Sequence, residues 1–381
     1  MIVITPQSVR GGAAAILLAV CVVSGTGVAA DRVPSAERGP ERPVKMRGFY
    51  GFNPKEAPFA GMAPERIADA LSGWGVDFVV GGSRDKAVAA ALQDRGIRIF
   101  AVLDCFQGES HWKSRPESRP IRADGKPLSK VRWYAGVCPS QSWLRRRILR
   151  EAAALARKPE LAGVWLDFIR YPVHWEVRAP DLPETCFCPV CLDKFQREAG
   201  IRLPGRLDGP AAKARWILLR HARAWTDWRA DNIAGFVGQV RRAIRRERPG
   251  FRLGLFVLPW GPEEFSGAMT RVAGQDIEKL AAEADILSPM AYHTLVGRPV
   301  QWVHEVARRL ADAGGKPVWP IVLAGEGKDA IPHEELRRAV RFALQEPSQG
   351  VLVFPQRVLA LPEHRAGLPR LFPTADGQPK R

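Results

Sequence analysis

Apolar residues along this chain fall into short, nearly unbroken runs separated by stretches with helical spacing. Eight such runs occur in order: Val44–Phe52, Val76–Val80, Ile97–Leu103, Ala162–Phe168, Phe251–Leu258, Ala284–Met290, Pro317–Leu323 and Gly350–Phe354. They are continuous rather than alternating, the pattern of strands covered on both faces. Helical patterns lie between them at Ala63–Trp74, Asp85–Asp94, Ser142–Arg157, Val300–Ala313 and His333–Gln345. Repeated strand–helix–strand order predicts a parallel sheet with right-handed crossovers. Eight units predict an α/β fold of the (β/α)₈ TIM-barrel type. The rival is an open doubly wound sheet, and its dinucleotide-binding form finds no support, since no GxGxxG turn follows the first run.

Two connections are long, Cys105–Pro139 after the third run and Arg170–Gly250 after the fourth. The second is a cysteine-containing insertion in which one helix is expected over Ala211–Arg248. Its Trp225, Trp228, Ile233, Phe236, Val240 and Ile244 recur at helical spacing, which reads as a core-facing stripe rather than a sugar-stacking face. Residues 46–372 are therefore expected to form a single barrel, with a flexible lead-in over 31–45 and a disordered tail over 373–381. Residues 1–30 read as a signal peptide: Arg10 precedes the apolar Ala13–Val23, and Val28-Ala29-Ala30 offers a small-residue cleavage site. Export to the periplasm or the medium is the expectation. No later segment is apolar for long enough to span a membrane.

The 381 residues are 46% hydrophobic and 25% charged, enough for one large barrel of roughly 250 residues plus insertions. The formal charge of +17 comes mostly from Arg, as in Arg145-Arg146-Arg147, Arg241-Arg242 and Arg245-Arg246. Such a balance fits a solvated helix face; it also fits a basic envelope protein attracted to acidic polymers. No specific nucleic-acid partner is expected, and no GxSxG elbow supports a serine hydrolase.

In a barrel, chemistry is read at the C-terminal strand ends. Those ends carry Tyr50 and Asn53; Ser83; Asp104 and Gln107; Asp167, Arg170 and Tyr171; Trp260 and Glu263; Tyr292 and His293; Glu326; and Gln356. Carboxylates and amides hydrogen-bond hydroxyls, while aromatic faces stack on sugar C–H surfaces. The set suits a polysaccharide or oligosaccharide and a hydrolysis run by two carboxylates, one protonated and one ionised. Asp167 is the first catalytic candidate, because a carboxylate that follows Val164-Trp165-Leu166 meets a low dielectric and needs partners.

Gly163-Val-Trp-Leu-Asp-Phe-Ile-Arg-Tyr-Pro172 resembles the fourth-strand signature of bacterial glycoside-hydrolase-like barrels, the glycosyl-hydrolase-10-like group and its relatives. Val137-Cys138-Pro139-Ser140 is similar to their segment before that strand, and Asp285–Tyr292 resembles their sixth-strand tip. The resemblance spans roughly residues 135–295 and implies a glycan-processing barrel, without naming a sugar.

The working expectation is thus an exported glycoside hydrolase with Asp167 and Glu326 as the catalytic pair. Asp167 is nucleophile or base and Glu326 the acid, or the reverse. Asp104 and Glu263 stand in reserve. Asp104, Arg170, Tyr171, Trp260, Tyr292, His293 and Gln356 are the expected substrate-binding residues, with Trp175 a further stacking candidate. The alternative is a non-catalytic glycan-binding barrel that lacks a working second carboxylate.

Cys186, Cys188 and Cys191 lie within six residues, and Cys138 could complete a set of four. A structural zinc, disulfides favoured by an oxidising compartment, and free thiols all remain open here. Each would make the cluster a staple for the loop beside Asp167. No cofactor is expected for catalysis, since no His/carboxylate metal set accompanies the cluster.

Overall fold

A computed structural model of the chain describes residues 45–81, 85–326 and 329–372, the side chains of Glu326 and Asp329 excepted. The expected signal peptide, nearly all of the lead-in, Ser83 and the 373–381 tail lie outside the described residues.

The eight expected strands are present, each within a few residues of its apolar run. They are β1 Met46–Phe52, β2 Phe78–Gly81, β3 Arg98–Asp104, β4 Leu161–Asp167, β5 Arg252–Val257, β6 Ile286–Pro289, β7 Ile321–Leu323 and β8 Gly350–Phe354. They pair in parallel in the order β6-β5-β4-β3-β2-β1-β8-β7. Two isolated parallel bridges, Leu287 to Val318 and Met290 to Ile321, join β6 to β7, so the barrel is nearly closed. A two-residue-per-strand hairpin, Gly325–Glu326 with Asp329–Ala330, stands just beyond β7.

Twelve helices are described: α1 Pro64–Gly73, α2 Lys86–Asp94, α3 Glu109–Ser114, α4 Ser142–Ala156, α5 Pro189–Ala199, α6 Gly209–Arg220, α7 Ala222–Glu247, α8 Ala268–Arg271, α9 Ile277–Glu283, α10 Trp302–Gly314, α11 His333–Ala343 and α12 Pro362–Arg365. Local chemistry sets their ends. Asp85 caps α2 by accepting from the Val88 amide, and Asp276 does the same for α9 through Lys279. Pro189 opens α5, and left-handed Gly200 closes it. The single helix expected over Ala211–Arg248 is instead two, α6 and α7, broken at His221, whose φ of −139° leaves the helical region. No Gly or Pro marks that break; the His221 ring packs on Trp216 at 4.6 Å. No described helix is long and apolar enough to cross a membrane.

The barrel interior is aromatic. Trp165 packs edge-on against Phe100 at 4.8 Å and tilted against Trp319 at 5.7 Å, and Phe78 meets Trp319 at 4.9 Å. Its indole nitrogen donates to Ser288 Oγ at 2.9 Å, which satisfies a polar atom in a dry core. Rings this large fit only because glycines face them. A Cβ on Gly254, the register partner of Trp165, would come within 2.3 Å of the indole, and one on Gly48 within 2.5 Å of the Phe78 ring.

Candidate functional site

Above these rings, at the C-terminal ends of the strands, the interior turns polar. Asp167 ends β4 with only 5% of its surface exposed. Tyr50 of β1 donates to its Oδ2 at 2.8 Å, and the Phe168 amide donates to its Oδ1 at 2.7 Å. Burial is the largest influence on its carboxyl and pushes the pKa up to about 6. The Arg170 charge and the Tyr50 hydrogen bond oppose that shift, and the charge of Asp104 adds to it. Tyr50 stays a protonated donor, its own pKa raised well above the ordinary value by burial and then by Asp167.

The backbone turns sharply at this point. Phe168 has φ of +51°, a left-handed conformation that a bulky residue rarely adopts and that costs on the order of 1–3 kcal/mol. The turn still serves the sheet, because Cys105 N–H bonds to the Asp167 carbonyl and Phe106 N–H to that of Phe168. It also sets the Phe168 ring against Tyr134, stacked at 5.8 Å, and against Trp133, edge-on at 5.9 Å. Trp133 is 51% exposed, at the turn of a small hairpin closed by Val131 and Tyr134. Arg170 is buried, its guanidinium lying over the Phe168 and Tyr134 rings at 5.2 and 5.8 Å. Its Nε and Nη1 have no hydrogen-bond partner among the described residues. Buried donors left this way call for an acceptor.

Two further carboxylates belong to this region. Asp104 is the register partner of Asp167 across β3 and β4, so both face the same side. It stands open at the rim, takes a hydrogen bond from Gln107 at 3.1 Å, and has its pKa raised by partial burial. Glu176, in the loop after β4, is half-buried. Its charge helps to push up the hydroxyls of both Tyr134 and Tyr292, groups that also feel Asp167. Tyr292 in turn stacks on Phe354 at 6.0 Å and meets Trp175 tilted at 5.3 Å. Tyr50, Tyr292, Phe354 and Trp175 therefore form one wall and Trp133, Tyr134 and Phe168 another.

The remaining expected residues are placed less favourably for contact with a ligand. Gln356 is buried and fully occupied: Oε1 accepts from the Asn53 amide, and Nε2 donates to the Asn53 and Ala57 carbonyls, so it clamps the loop after β1. Tyr171 is completely buried and receives Asn232 Nδ2 at 2.9 Å. His293 is buried with Nε2 on Glu335 of α11 at 2.9 Å. Trp260 turns into a separate cavity of about 390 Å³, shared with Met269, Gln275, Arg309 and Leu310. Glu263 is exposed beyond β5. The Glu326 backbone lies in the hairpin after β7; its side chain is outside the described residues. A cavity of about 890 Å³ opens between β3 and α4, lined by Asn53, Ala101, Leu103, Glu151 and Lys158, and Asp167 is not among its walls. Trp133 and Glu176 also reach this region, from loops without the periodicity that marks a strand tip.

The fold is a TIM barrel with carboxyl groups at the C-terminal ends of β3 and β4. No protein-family model and no curated protein sequence matches the chain. Among solved structures it is similar to the PgaB (BpsB) glycoside hydrolase domain from Bordetella bronchiseptica, with a TM-score of 0.64 at 14% identity over 86% of this chain and 98% of that one. It is also similar to the β-galactosidase from psychrophilic Marinomonas ef1 (TM-score 0.57, 10% identity, 81% of this chain) and to that from the haloarchaeon Halorubrum lacusprofundi (0.57, 15%, 88%). The chain spans about half the length of these two galactosidases, 54% and 56%. At such identities the likeness is one of fold.

Proposed function

We propose that this protein is a glycoside hydrolase acting on a polysaccharide or oligosaccharide, with Asp167 as the group that gives and takes the proton. The observation that carries the reading is the Asp167 carboxyl itself: buried at the β4 tip, held by Tyr50, and titrating near 6. A carboxyl that keeps part of its protonated form near neutrality is what proton transfer to a glycosidic oxygen requires. The exposed Trp133 and the half-buried Phe168, Tyr50 and Phe354 supply ring faces for a sugar, backed by the buried Tyr134, Tyr292 and Trp175, and Arg170 offers unpaired donors for a sugar oxygen. The similarity of fold to glycoside hydrolases supports the same reading.

The second, ionised carboxylate comes from Glu326, Asp104 or Glu176. An exported location accords with the leader expected over 1–30, and N-terminal sequencing of the secreted chain, starting at Asp31, tests it. For the activity, reducing-end release is measured over a polysaccharide panel with the wild type and with Asp104→Asn, Glu176→Gln and Glu326→Gln. The variant that loses about 10³-fold in rate identifies the partner. Glycan binding without release by the wild type would instead make the protein a lectin-like barrel.

A further inference from the structure

We infer that Cys138, Cys186, Cys188 and Cys191 bind one zinc ion tetrahedrally, and that this ion fastens the two long loops to the β4 tip. The four Sγ atoms all lie within 4.8 Å of one another and all four residues are buried. Cys138 Sγ is 3.6 Å from Cys188 Sγ and 3.4 Å from Cys191 Sγ. Zinc–sulfur bonds of ~2.3 Å at tetrahedral angles set sulfur–sulfur separations of about 3.8 Å. A disulfide would instead draw one pair to ~2.0 Å and leave the others. Here Cys138 stands nearly midway between two partners, as a ligand does. Cys188-Pro189-Val190-Cys191 forms the knuckle, with Cys188 at the N-cap of α5 and Cys191 in its first turn.

The surroundings are arranged for thiolates. The Ile121 amide points at Cys186 Sγ at 3.4 Å. Ser140 Oγ lies 3.2 Å from Cys191 Sγ and already accepts from Asn232 Nδ2 at 3.2 Å, which leaves its own proton for the sulfur. Such outer contacts orient and stabilise metal ligands. A tetrathiolate zinc carries two negative charges, costly to bury without cations nearby. Arg229, completely buried, donates to the Thr185 carbonyl beside Cys186, and Arg145 donates to the Pro139 carbonyl beside Cys138.

The same contacts reach the candidate active site. Asn232 donates to Ser140 and also to the Tyr171 hydroxyl at 2.9 Å, four residues beyond Asp167. Cys138 closes the loop that carries Trp133 and Tyr134, and Cys186–Cys191 closes the one that carries Arg170 and Glu176. The buried Tyr171 thus links the cluster to the β4 tip.

The test uses the full chain, purified without added chelator. Metal analysis by mass spectrometry is expected to find about one zinc per chain, with Cys138, Cys186, Cys188 and Cys191 unreactive to alkylation until the metal is stripped. Cobalt substitution should give the sulfur-to-metal charge-transfer bands of a tetrathiolate site. Cys188→Ser should lose the zinc, while Cys105→Ser, a buried cysteine outside the cluster, should keep it. Should Cys188→Ser fail to fold, Ser140→Ala keeps every ligand and is expected to lose zinc to a chelator roughly tenfold more readily. Hydrogen exchange should rise in residues 130–141 and 171–191 on stripping, with the barrel strands unchanged. A metal-free chain carrying disulfides among these cysteines, a reduced chain that takes up no zinc, or iron in place of zinc would each overturn the assignment.

Discussion

Asp167 carries the main electrostatic cost of the site and, on the proposed function, its chemistry. Its folded pKa of about 6 lies above that of an unfolded Asp, so the unfolded chain releases this proton first as pH rises. The stability it contributes is complete below pH ~4, is lost between ~4 and ~6, and stays lost above. The shift of about two units corresponds to roughly 3 kcal/mol at most. Asp167→Asn should therefore be more stable than the wild type at pH 7–8, by up to ~3 kcal/mol, and equal to it near pH 4; urea unfolding at the two pH values measures this. The placement of Asp167 and Asp104 at neighbouring strand ends was legible in the sequence, because each closes an apolar run of strand type. Gln356, Tyr171 and His293 also stand near strand ends, but their side chains are buried and hydrogen-bonded within the fold. Whether a polar side chain at a strand end faces the mouth or the surrounding shell depends on the loop path, and here Asn53, Asn232 and Glu335 share hydrogen bonds with the three, while His293 Nδ1 has no partner among the described residues.

At the level of elements, the strands could be read because burial on both faces removes polar positions. The helix break at His221 could not be read, having no breaker residue, and neither could Trp133 or Glu176, whose positions come from hairpin and loop geometry. What periodicity also conceals is the pairing of large with absent side chains inside the barrel. Gly254 faces Trp165, and an added methyl has no space without displacing the indole and its bond to Ser288. Gly254→Ala is expected to cost about 1–3 kcal/mol, read as a lower denaturation midpoint at unchanged slope. Asp285, part of the sixth-strand resemblance, belongs to the opposite end of the barrel. It accepts from the Leu253 amide at 2.8 Å and pairs with Arg245 at 2.8 Å. Asp285→Ala should lower stability by roughly 1–3 kcal/mol while leaving the kcat of any glycan hydrolysis unchanged.

For the whole molecule, the question left by the charge of +17 is whether basicity or the carboxyl face defines the partner. The Arg-rich end of α7 leads into the start of β5, at the barrel end away from Asp167. Arg242 and Arg246 are exposed there. Replacing both with Ala should change glycan hydrolysis less than about twofold from low to physiological salt, since charges this far away are screened. Any binding of acidic polymers should weaken and lose salt sensitivity in that variant. The central claim, though, is that a buried, titrating Asp167 breaks a glycosidic bond. The most direct measurement is the rate of reducing-end release from one polysaccharide, across pH 4–9, for the wild type, Tyr50→Phe and Asp167→Asn. The wild type should show a limb near pH 6, Tyr50→Phe the same limb moved to higher pH because a bond to the carboxylate is gone, and Asp167→Asn a rate at least ~100-fold lower throughout. Wild-type rates from Asp167→Asn would contradict the account.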